Sequence, residues 1–455
     1  MEEDKMRKNI MRILGITLLT IILAVSCSMT GTVSEVQRTA GDRPGNPPGG
    51  KPGSSSSSIS YSGAVEISSS ESQSGQTYAS STTDESALLV STSEAVTIEN
   101  PTVTKSGSSD GGDSCNFYGL NAAVLVKGGS TTTITGGTIT SDASGANGVF
   151  SYGGNGGSNG AAGDGTTVII SDTTITTSGS GSGGIMTTGG GITKAYNLTV
   201  TTSGQSSAAI RTDRGGGTVT VDGGTYTSNG LGSPAIYSTA DITVGNATLV
   251  SNLSEGVCIE GKNSITLTDC NLTATNTKCN GNAKFLDTIM IYQSMSGDAD
   301  SGTSSFTMTG GRLTSNKGHV FHVTNTNAVI NLSKVEIVNN DGDVLLSVCD
   351  DGWSGASNIA TLNASEQTLS GTILVGSDST FTLNLKDNST FTGTFSGSIT
   401  NAAGSTVSTS VGTVNVTIES GSTWTLTADT YVSSLTNNGT LNRNGYTLYV
   451  NGTAY

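Results

Sequence analysis

Side chains that could carry acid–base or nucleophilic chemistry are scarce in this sequence. His319 and His322 are its only two histidines, so a Ser/His/Asp triad or a histidine-ligated metal would have to use one of them. Neither lies beside a nucleophile motif. The sequence also contains no G-x-S-x-G, HExxH or P-loop motif, each of which needs a fixed spacing to assemble its site. These observations favour a function without catalysis.

Six aspartates in turns rich in glycine and asparagine are candidate calcium ligands, because Ca²⁺ is bound by carboxylate and carbonyl oxygens. They are Asp298, Asp300, Asp341, Asp343, Asp350 and Asp351. Aspartate is also a common turn former, since its side chain hydrogen bonds to nearby backbone. Neither D-x-D pair continues into the Gly and final Glu of an EF-hand. Turn formation is therefore the expected role of these residues and no cofactor is predicted, with calcium binding as the alternative.

The charge balance excludes some classes of partner. The chain has 455 residues, with 20 Lys and Arg against 35 Asp and Glu, and a formal net charge of −15. Nucleic-acid binding depends largely on clustered Lys and Arg, so nucleic acid and anionic lipid headgroups are poor partners. Only 12% of the residues are charged. Ser, Thr and Asn must therefore solvate much of the surface.

The N-terminal segment predicts export. Residues 1–27 begin with a charged stretch that contains Lys5, Arg7, Lys8 and Arg12, continue with an apolar run over residues 13–25 and end at Cys27. This run suits a signal-peptide core better than a transmembrane helix, which needs about 20 residues. The sequence Leu-Ala-Val-Ser-Cys over residues 23–27 resembles the lipobox of bacterial lipoproteins. That resemblance implies lipidation of Cys27, a location at the bacterial cell surface or outer membrane, and membrane contact only through the anchor.

Ordinary signal cleavage near Cys27 is the alternative to lipidation. Residues 28–60 are rich in Pro, Gly and Ser. Such a composition cannot pack a core, and it predicts a flexible tether between the anchor and the folded body.

From about residue 120 a six-residue pattern recurs, with an apolar residue at each end and a small polar turn between them. The copies begin at Ile134, Ile170, Val221, Val244, Leu267, Met308 and Leu332. A weaker copy ends at Val200. With it included, the copies recur mostly every 23–26 positions, and two longer steps contain residues 153–165 and 277–303 as insertions. A second short apolar stretch lies between copies. These short β-branched segments, separated by Gly, Asn, Asp and Ser, predict about three strands per repeat.

A repeat of this length predicts a β-solenoid, in which each coil pairs its backbone with the coils on either side. The segment resembles right-handed parallel β-helices of the pectin-lyase-like type. We therefore expect an all-β fold with coils of 23–26 residues over residues 61–370. Residues 371–455 resemble the closing coils of bacterial surface β-helix adhesins and are expected to form terminal coils and a cap. An array of β-sandwiches is the competing fold.

Stacking the repeats predicts a ligand-binding strip. If Ile210 and the matching residues of the other coils point into the interior of the β-helix, strand alternation places the next residue of each strand on the outer side. A tyrosine ring beside charged groups offers a sugar ring a flat apolar surface with hydrogen-bonding groups at its edge. An ordinary surface stack is the alternative. The outward residues of successive coils are Arg211, Tyr237, Glu260, Tyr292 and His322.

The function predicted from these features is a lipid-anchored surface rod that binds a polysaccharide or a host or cell-surface glycan without catalysis. The main alternative is a polysaccharide lyase or glycoside hydrolase, because many proteins of the pectin-lyase-like type are such enzymes. Fold alone does not decide between them. Thr-rich segments such as residues 131–135 would suit ice binding only as a flat, regular T-x-T array, and the irregular repeat lengths argue against one.

Overall fold

The structure is a computed structural model that describes residues 59–109, 112–353 and 357–455. The predicted signal peptide, Cys27 and the tether up to residue 58 lie outside the described residues. Within the described ranges the chain is all-β, with 42 strands and one six-residue helix, α1 (Asp113–Tyr118). No helix in these ranges is long and apolar enough to cross a membrane.

Sheet A is a parallel sheet of 15 strands that forms the first face of each coil. Its strands are β1 (Ser62–Ile67), β4 (Glu85–Ser91), β7 (Val124–Lys127), β10 (Val149–Tyr152), β13 (Ile185–Thr188), β15 (Ile210–Thr212), β17 (Ile236–Ser238), β20 (Val257–Glu260), β23 (Asp287–Tyr292), β26 (His319–Thr324), β29 (Val344–Val348), β31 (Thr368–Val375), β33 (Thr390–Ser396), β37 (Thr423–Leu426) and β40 (Thr440–Asn442).

Sheet B has 22 strands arranged in two rows, which form the second and third faces. Face two contains β2 (Glu71–Ser74), β5 (Ala95–Glu99), β8 (Thr131–Thr135), β11 (Thr167–Ser171), β18 (Asp241–Gly245), β21 (Ser264–Thr268), β24 (Thr303–Thr309), β27 (Asn327–Ser333), β30 (Asn358–Ser365), β32 (Ser379–Lys386), β36 (Thr413–Ile418) and β39 (Ser434–Asn437). Face three contains β3 (Thr77–Ser80), β6 (Thr102–Lys105), β9 (Thr138–Ser141), β12 (Thr174–Thr177), β19 (Thr248–Ser251), β22 (Asn271–Ala274), β25 (Arg312–Ser315) and β28 (Glu336–Asn339). Two 12-residue strands, β14 (Gly191–Thr202) and β16 (Gly217–Ser228), continue around the corner and join the two rows.

Two small sheets complete the fold. An antiparallel pair, β34 (Ser398–Thr400) and β35 (Thr406–Thr409), lies in an insertion near the C-terminal coils. The last coils carry β38 (Thr430–Val432) and β41 (Leu448–Val450) in parallel, with β42 (Thr453–Ala454) antiparallel at the edge.

Strands of successive coils pair in parallel, so that equivalent residues stack on one another. Val200 pairs with Tyr226, and Tyr226 pairs with Leu249, at offsets of 26 and 23 residues. The right-handed parallel β-helix with coils of about 23–26 residues is thus confirmed. Inward-pointing Val, Ile, Leu and Phe side chains of all three faces form one continuous core. Burial of each such side chain contributes about 1.5–3 kcal/mol to the free energy of unfolding.

The recurring six-residue pattern is the corner between faces two and three. Its apolar ends, such as Val244 and Leu249, are fully buried. The third residue of each copy has a positive φ. These third residues are Gly136, Asp172, Gly223, Asn246, Asp269, Gly310 and Lys334. Glycine, asparagine and aspartate enter this left-handed region at the lowest cost, which explains the composition of the pattern.

Face three carries a regular threonine array on its outer side. T-x-T pairs stack in register over five successive coils without a shift. They are Thr102 and Thr104, Thr138 and Thr140, Thr174 and Thr176, Thr199 and Thr201, and Thr225 and Thr227. The expectation that irregular repeat lengths would disrupt such an array is wrong, because the extra residues are inserted outside these strands.

The corner conformation leads to a stability prediction at Asn246, which is exposed and has φ 55°. The Asn246→Val variant places a β-branched residue in the left-handed region and should lower the free energy of unfolding by about 1–3 kcal/mol. The Asn246→Gly variant loses the same hydrogen bond to Asp222 without the strain and should remain close to wild type. Urea unfolding of both variants measures the difference. Equal losses in the two would contradict the backbone explanation.

Candidate functional site

The predicted binding residues lie on the outer side of sheet A. Ile210 and Ile236 point into the central core as predicted. Arg211 and Tyr237, one position further along their strands, are paired neighbours on the opposite side. Strand alternation therefore predicted correctly the side of the sheet on which Arg211 and Tyr237 lie.

The five predicted residues form two columns instead of one. Arg211 and Tyr237 share a column with His322, which continues through residues 258 and 290. Glu260 pairs with Tyr292 in a second column, two positions further along the strands. The predicted single line of five side chains is wrong because the six-residue pattern defines the corners of each coil and not the register within sheet A.

Inserted segments cover this outer side. Tyr237 is 9% exposed, and Glu260, Tyr292 and His322 are 0% exposed. Ala283 of the insertion and Trp353, which follows β29, join Tyr237 and Tyr292 in a second hydrophobic cluster outside the central core, and the Trp353 ring centre lies 5.1 Å from that of Tyr292. An exposed strip of these five residues is therefore absent from the described structure. The repeat predicted where the insertions occur but carried no signal that they fold back over sheet A.

Glu260 ties one of these insertions to the sheet. Its carboxylate accepts hydrogen bonds from the hydroxyls of Tyr237 at 2.7 Å and Tyr292 at 2.9 Å. It also accepts hydrogen bonds from Ser294 and Ser296, which belong to the insertion after β23. A buried carboxylate needs such donors to offset its lost hydration. Glu260 and both tyrosines are thus held in a structural network.

The two histidines belong to another buried network. His319 and His322 each place Nδ1 2.7 Å from the hydroxyl oxygen of Ser347. His322 Nε2 lies 3.4 Å from an oxygen of Asp351, and both side chains are fully buried. Burial, together with repulsion from His322, lowers the pKa of His319 to about 3. His319 is therefore neutral at physiological pH. The imidazole of His322 is fully buried, whereas that of His319 is only partly buried.

A cleft of about 210 Å³ remains open on the outer side of sheet A, between α1 and the later insertions. Arg211 and Tyr237 lie at its floor. Asn116 and Phe117 of α1 line one wall, and Asn280 and Asp298 line the other. The cleft brings together three of the residues predicted from the sequence, Arg211, Tyr237 and Asp298. The residues from α1 and Asn280 carried no sequence signal, because they lie far along the chain from the floor.

Two arginine–aspartate pairs organise the cleft. Arg211 Nη2 lies 2.6 Å from Asp213, and its Nη1 donates to Asn116 at 3.2 Å. Arg214 donates to Asp298 from Nε at 3.1 Å and from Nη2 at 2.7 Å. Such charge-assisted contacts hold side chains in fixed positions. The floor, α1 and the insertion after β23 are thereby connected.

Aromatic rings support both guanidinium groups. The Arg211 guanidinium lies 5.8 Å from the centre of the Tyr237 ring, and that of Arg214 lies 4.2 Å from the centre of the Phe117 ring. Cation–π contacts at these distances add to the ion pairs. The cleft is therefore pre-organised, with its hydrogen-bonding groups in place before any ligand enters.

Asp213 has an unusual protonation equilibrium. Burial raises its pKa to about 6, the attraction of Arg211 lowers it in part, and the charge of Asp298 raises it further. A carboxyl group with this pKa can donate a proton or a hydrogen bond in mildly acidic solution. It is the residue in the cleft best suited to acid–base chemistry.

The candidate calcium ligands do not come together. Asp298, Asp300 and Asp341 form ion pairs with Arg214, Lys262 and Lys317 respectively. The other three accept hydrogen bonds: Asp343 from Thr372, Asp350 from the Gly352 amide, and Asp351 from the Lys284 amide. Across the described ranges no three His, Cys, Asp or Glu side chains are arranged to hold a metal ion.

The raised pKa of Asp213 predicts a pH dependence of stability. Because the folded pKa of about 6 exceeds the unfolded value of about 3.9, the folded state binds the proton more tightly. The Asp213 contribution to the free energy of unfolding should therefore fall as the pH rises from about 4 to 6. Asp213→Asn should remove that slope in urea unfolding, whereas Asp300→Asn at an exposed ion pair should retain it. A wild-type slope in Asp213→Asn would contradict the assignment.

Comparisons with known proteins add no candidate activity. No family model, no curated protein and no solved structure matches the chain. The function of the cleft must therefore be argued from its own residues and geometry.

Proposed function

We propose that this chain is an exported, lipid-anchored bacterial surface protein whose β-helix presents a glycan-binding cleft and acts in adhesion without catalysis. The observation that carries the proposal is the pre-organised cleft on the outer side of sheet A. Its lining combines amide, carboxyl and guanidinium groups with the rings of Phe117 and Tyr237. Sugar recognition uses this combination of an aromatic surface and convergent hydrogen-bonding groups.

The size and charge of the cleft narrow the class of glycan. Its volume of about 210 Å³ is below the roughly 300–1,000 Å³ typical of sites for drug-sized ligands, so it suits a single sugar unit. Both arginines are already paired with aspartates, and Asp113 adds a third carboxylate to the lining. A neutral or amino sugar fits this balance better than a uronate.

Binding can be tested at Asn280, a partly exposed wall residue. The full chain is titrated with neutral, amino and acidic oligosaccharides by calorimetry. Asn280→Ala should weaken binding of the preferred sugar about threefold to tenfold, because one hydrogen bond contributes about 0.5–1.5 kcal/mol. Asn327→Ala changes an exposed asparagine on face two and should bind like wild type. Equal binding by both variants, or no binding by wild type, would exclude the cleft.

Polysaccharide cleavage is the alternative function, and the raised pKa of Asp213 beside Asp298 favours it over other enzymatic functions. The same oligosaccharides are incubated with the chain and their lengths are followed by chromatography. Binding without shorter or unsaturated products supports the non-catalytic function. Products that disappear in Asp213→Asn, while binding persists, would replace it with a hydrolase or lyase.

Ice binding is a second candidate, because the threonine array on face three is regular. Neighbouring strands are about 4.7–4.9 Å apart and alternate residues about 6.6 Å, spacings close to the oxygen repeats of ice. Thr199→Tyr, at an exposed position inside the array, should abolish inhibition of ice recrystallisation. Thr243→Tyr on face two should leave it unchanged. An inactive wild-type chain would remove this candidate.

A further inference from the structure

Lys105 is a lysine buried inside the β-helix. It is the last residue of β6 and is 0% exposed. Its neighbours in the same stack are Ser80 and Ser141, and the next coil contributes Thr177. A column of small hydroxyl side chains is thus interrupted by one long amine, which lies among groups that cannot hydrate it.

The Lys105 amine has two acceptors and both are backbone carbonyls. Nζ donates to the oxygen of Thr82 at 2.8 Å and to that of Gly107. Within the described ranges no carboxylate forms an ion pair with it. A neutral amine has two hydrogens for these two carbonyls, and its lone pair stays available. Burial lowers the pKa of Lys105, and the charges of nearby acidic groups, Glu85 first, oppose that effect.

Asn121 lies beside this amine. Its side chain is 0% exposed and its backbone has φ 68°. Nδ2 donates to the Gly107 oxygen at 2.9 Å and to the Ser144 oxygen at 3.2 Å. The carbonyl oxygen Oδ1 is buried without a hydrogen-bond partner in the described structure. Since the Lys105 amine and the Asn121 amide share the Gly107 oxygen and both side chains are 0% exposed, they are held next to each other in the interior of the protein.

We infer that Lys105 and Asn121 form an intramolecular amide cross-link. A desolvated amine is a competent nucleophile, and burial side by side supplies the proximity that such a reaction needs. The lone pair of Nζ attacks Cγ of Asn121, and the Cγ–Nδ2 bond breaks. Nδ2 takes one proton from Nζ and leaves as ammonia. The reaction needs no oxidant, reductant or cofactor, because the proton passes directly from Nζ to the departing Nδ2.

The cross-link would constrain one wall of the cleft. It joins the end of β6 to the residue three positions before β7, and α1 lies between them. Closing this segment limits the motions by which α1, with Asn116 and Phe117, could leave the floor. The cross-link depends only on buried groups within the chain and not on the identity of any ligand.

Mass spectrometry of the purified full chain tests the cross-link. The measured wild-type mass should be lower, by the mass of one ammonia, than the mass calculated from the sequence with the same termini. Trypsin should fail to cut the denatured protein after Lys105. The two segments 39–105 and 106–127, which trypsin would otherwise separate, should be recovered as one cross-linked peptide. Fragmentation should place the link between Lys105 and Asn121.

Variants provide the matched controls. Lys105→Met should have the full expected mass, whereas Lys127→Met, which changes a lysine of β7, should still lose one ammonia. The result that overturns the inference is a wild-type chain with the full mass that trypsin cuts after Lys105. Because this comparison uses the wild-type protein, it stands even where Lys105→Met fails to fold.

Discussion

Parallel backbone pairing between successive coils is the constraint on which the structure depends. Each interior strand of sheets A and B pairs its amide and carbonyl groups with the strands one coil before and one coil after, so equivalent residues must stay in register. A shift of one residue would turn an entire row of inward side chains outward. The left-handed corner residues preserve this register, because they turn the chain by the same amount in every coil. Extra residues are accommodated only where the chain leaves one face and before it enters the next.

The insertions therefore decide what the outer side of sheet A can do. Three hydrophobic clusters outside the central core lie along this side, each built partly from inserted residues. Glu260 connects the insertion after β23 to the sheet through hydrogen bonds from Ser294 and Ser296, and the contact of His322 with Asp351 connects the segment after β29. A side chain on an outer face that no insertion covers is exposed to solvent. Beneath an insertion the same side chain is desolvated, and the pKa values of Asp213 and His319 change for that reason.

Much of the fold could be predicted from the sequence, because each sequence repeat corresponds to one coil of the β-helix. Residues such as Val244 and Leu249 recur at a fixed spacing, and the small residues between them mark the corner. The direction of Arg211 and Tyr237 followed from strand alternation. Their surroundings could not be predicted, since Arg211 contacts Asn116 at a separation of 95 residues and Arg214 contacts Asp298 at a separation of 84. Such contacts depend on how two insertions fold, and neither insertion repeats.

The same difference between repeated and inserted residues separates the structural core of the β-helix from the residues that could carry out chemistry. Within the central core, the repeated positions hold apolar residues or short hydroxyl side chains, which stack without titrating. Lys105 is a titratable exception inside the coil. Asp213 and Arg211 form a titratable pair on its outer side, and both places lie next to the segment that carries α1. A buried titratable group lowers stability unless its environment compensates for its lost hydration. Two such groups beside one short helix therefore indicate that this segment is specified more tightly than a solvent-exposed loop would require.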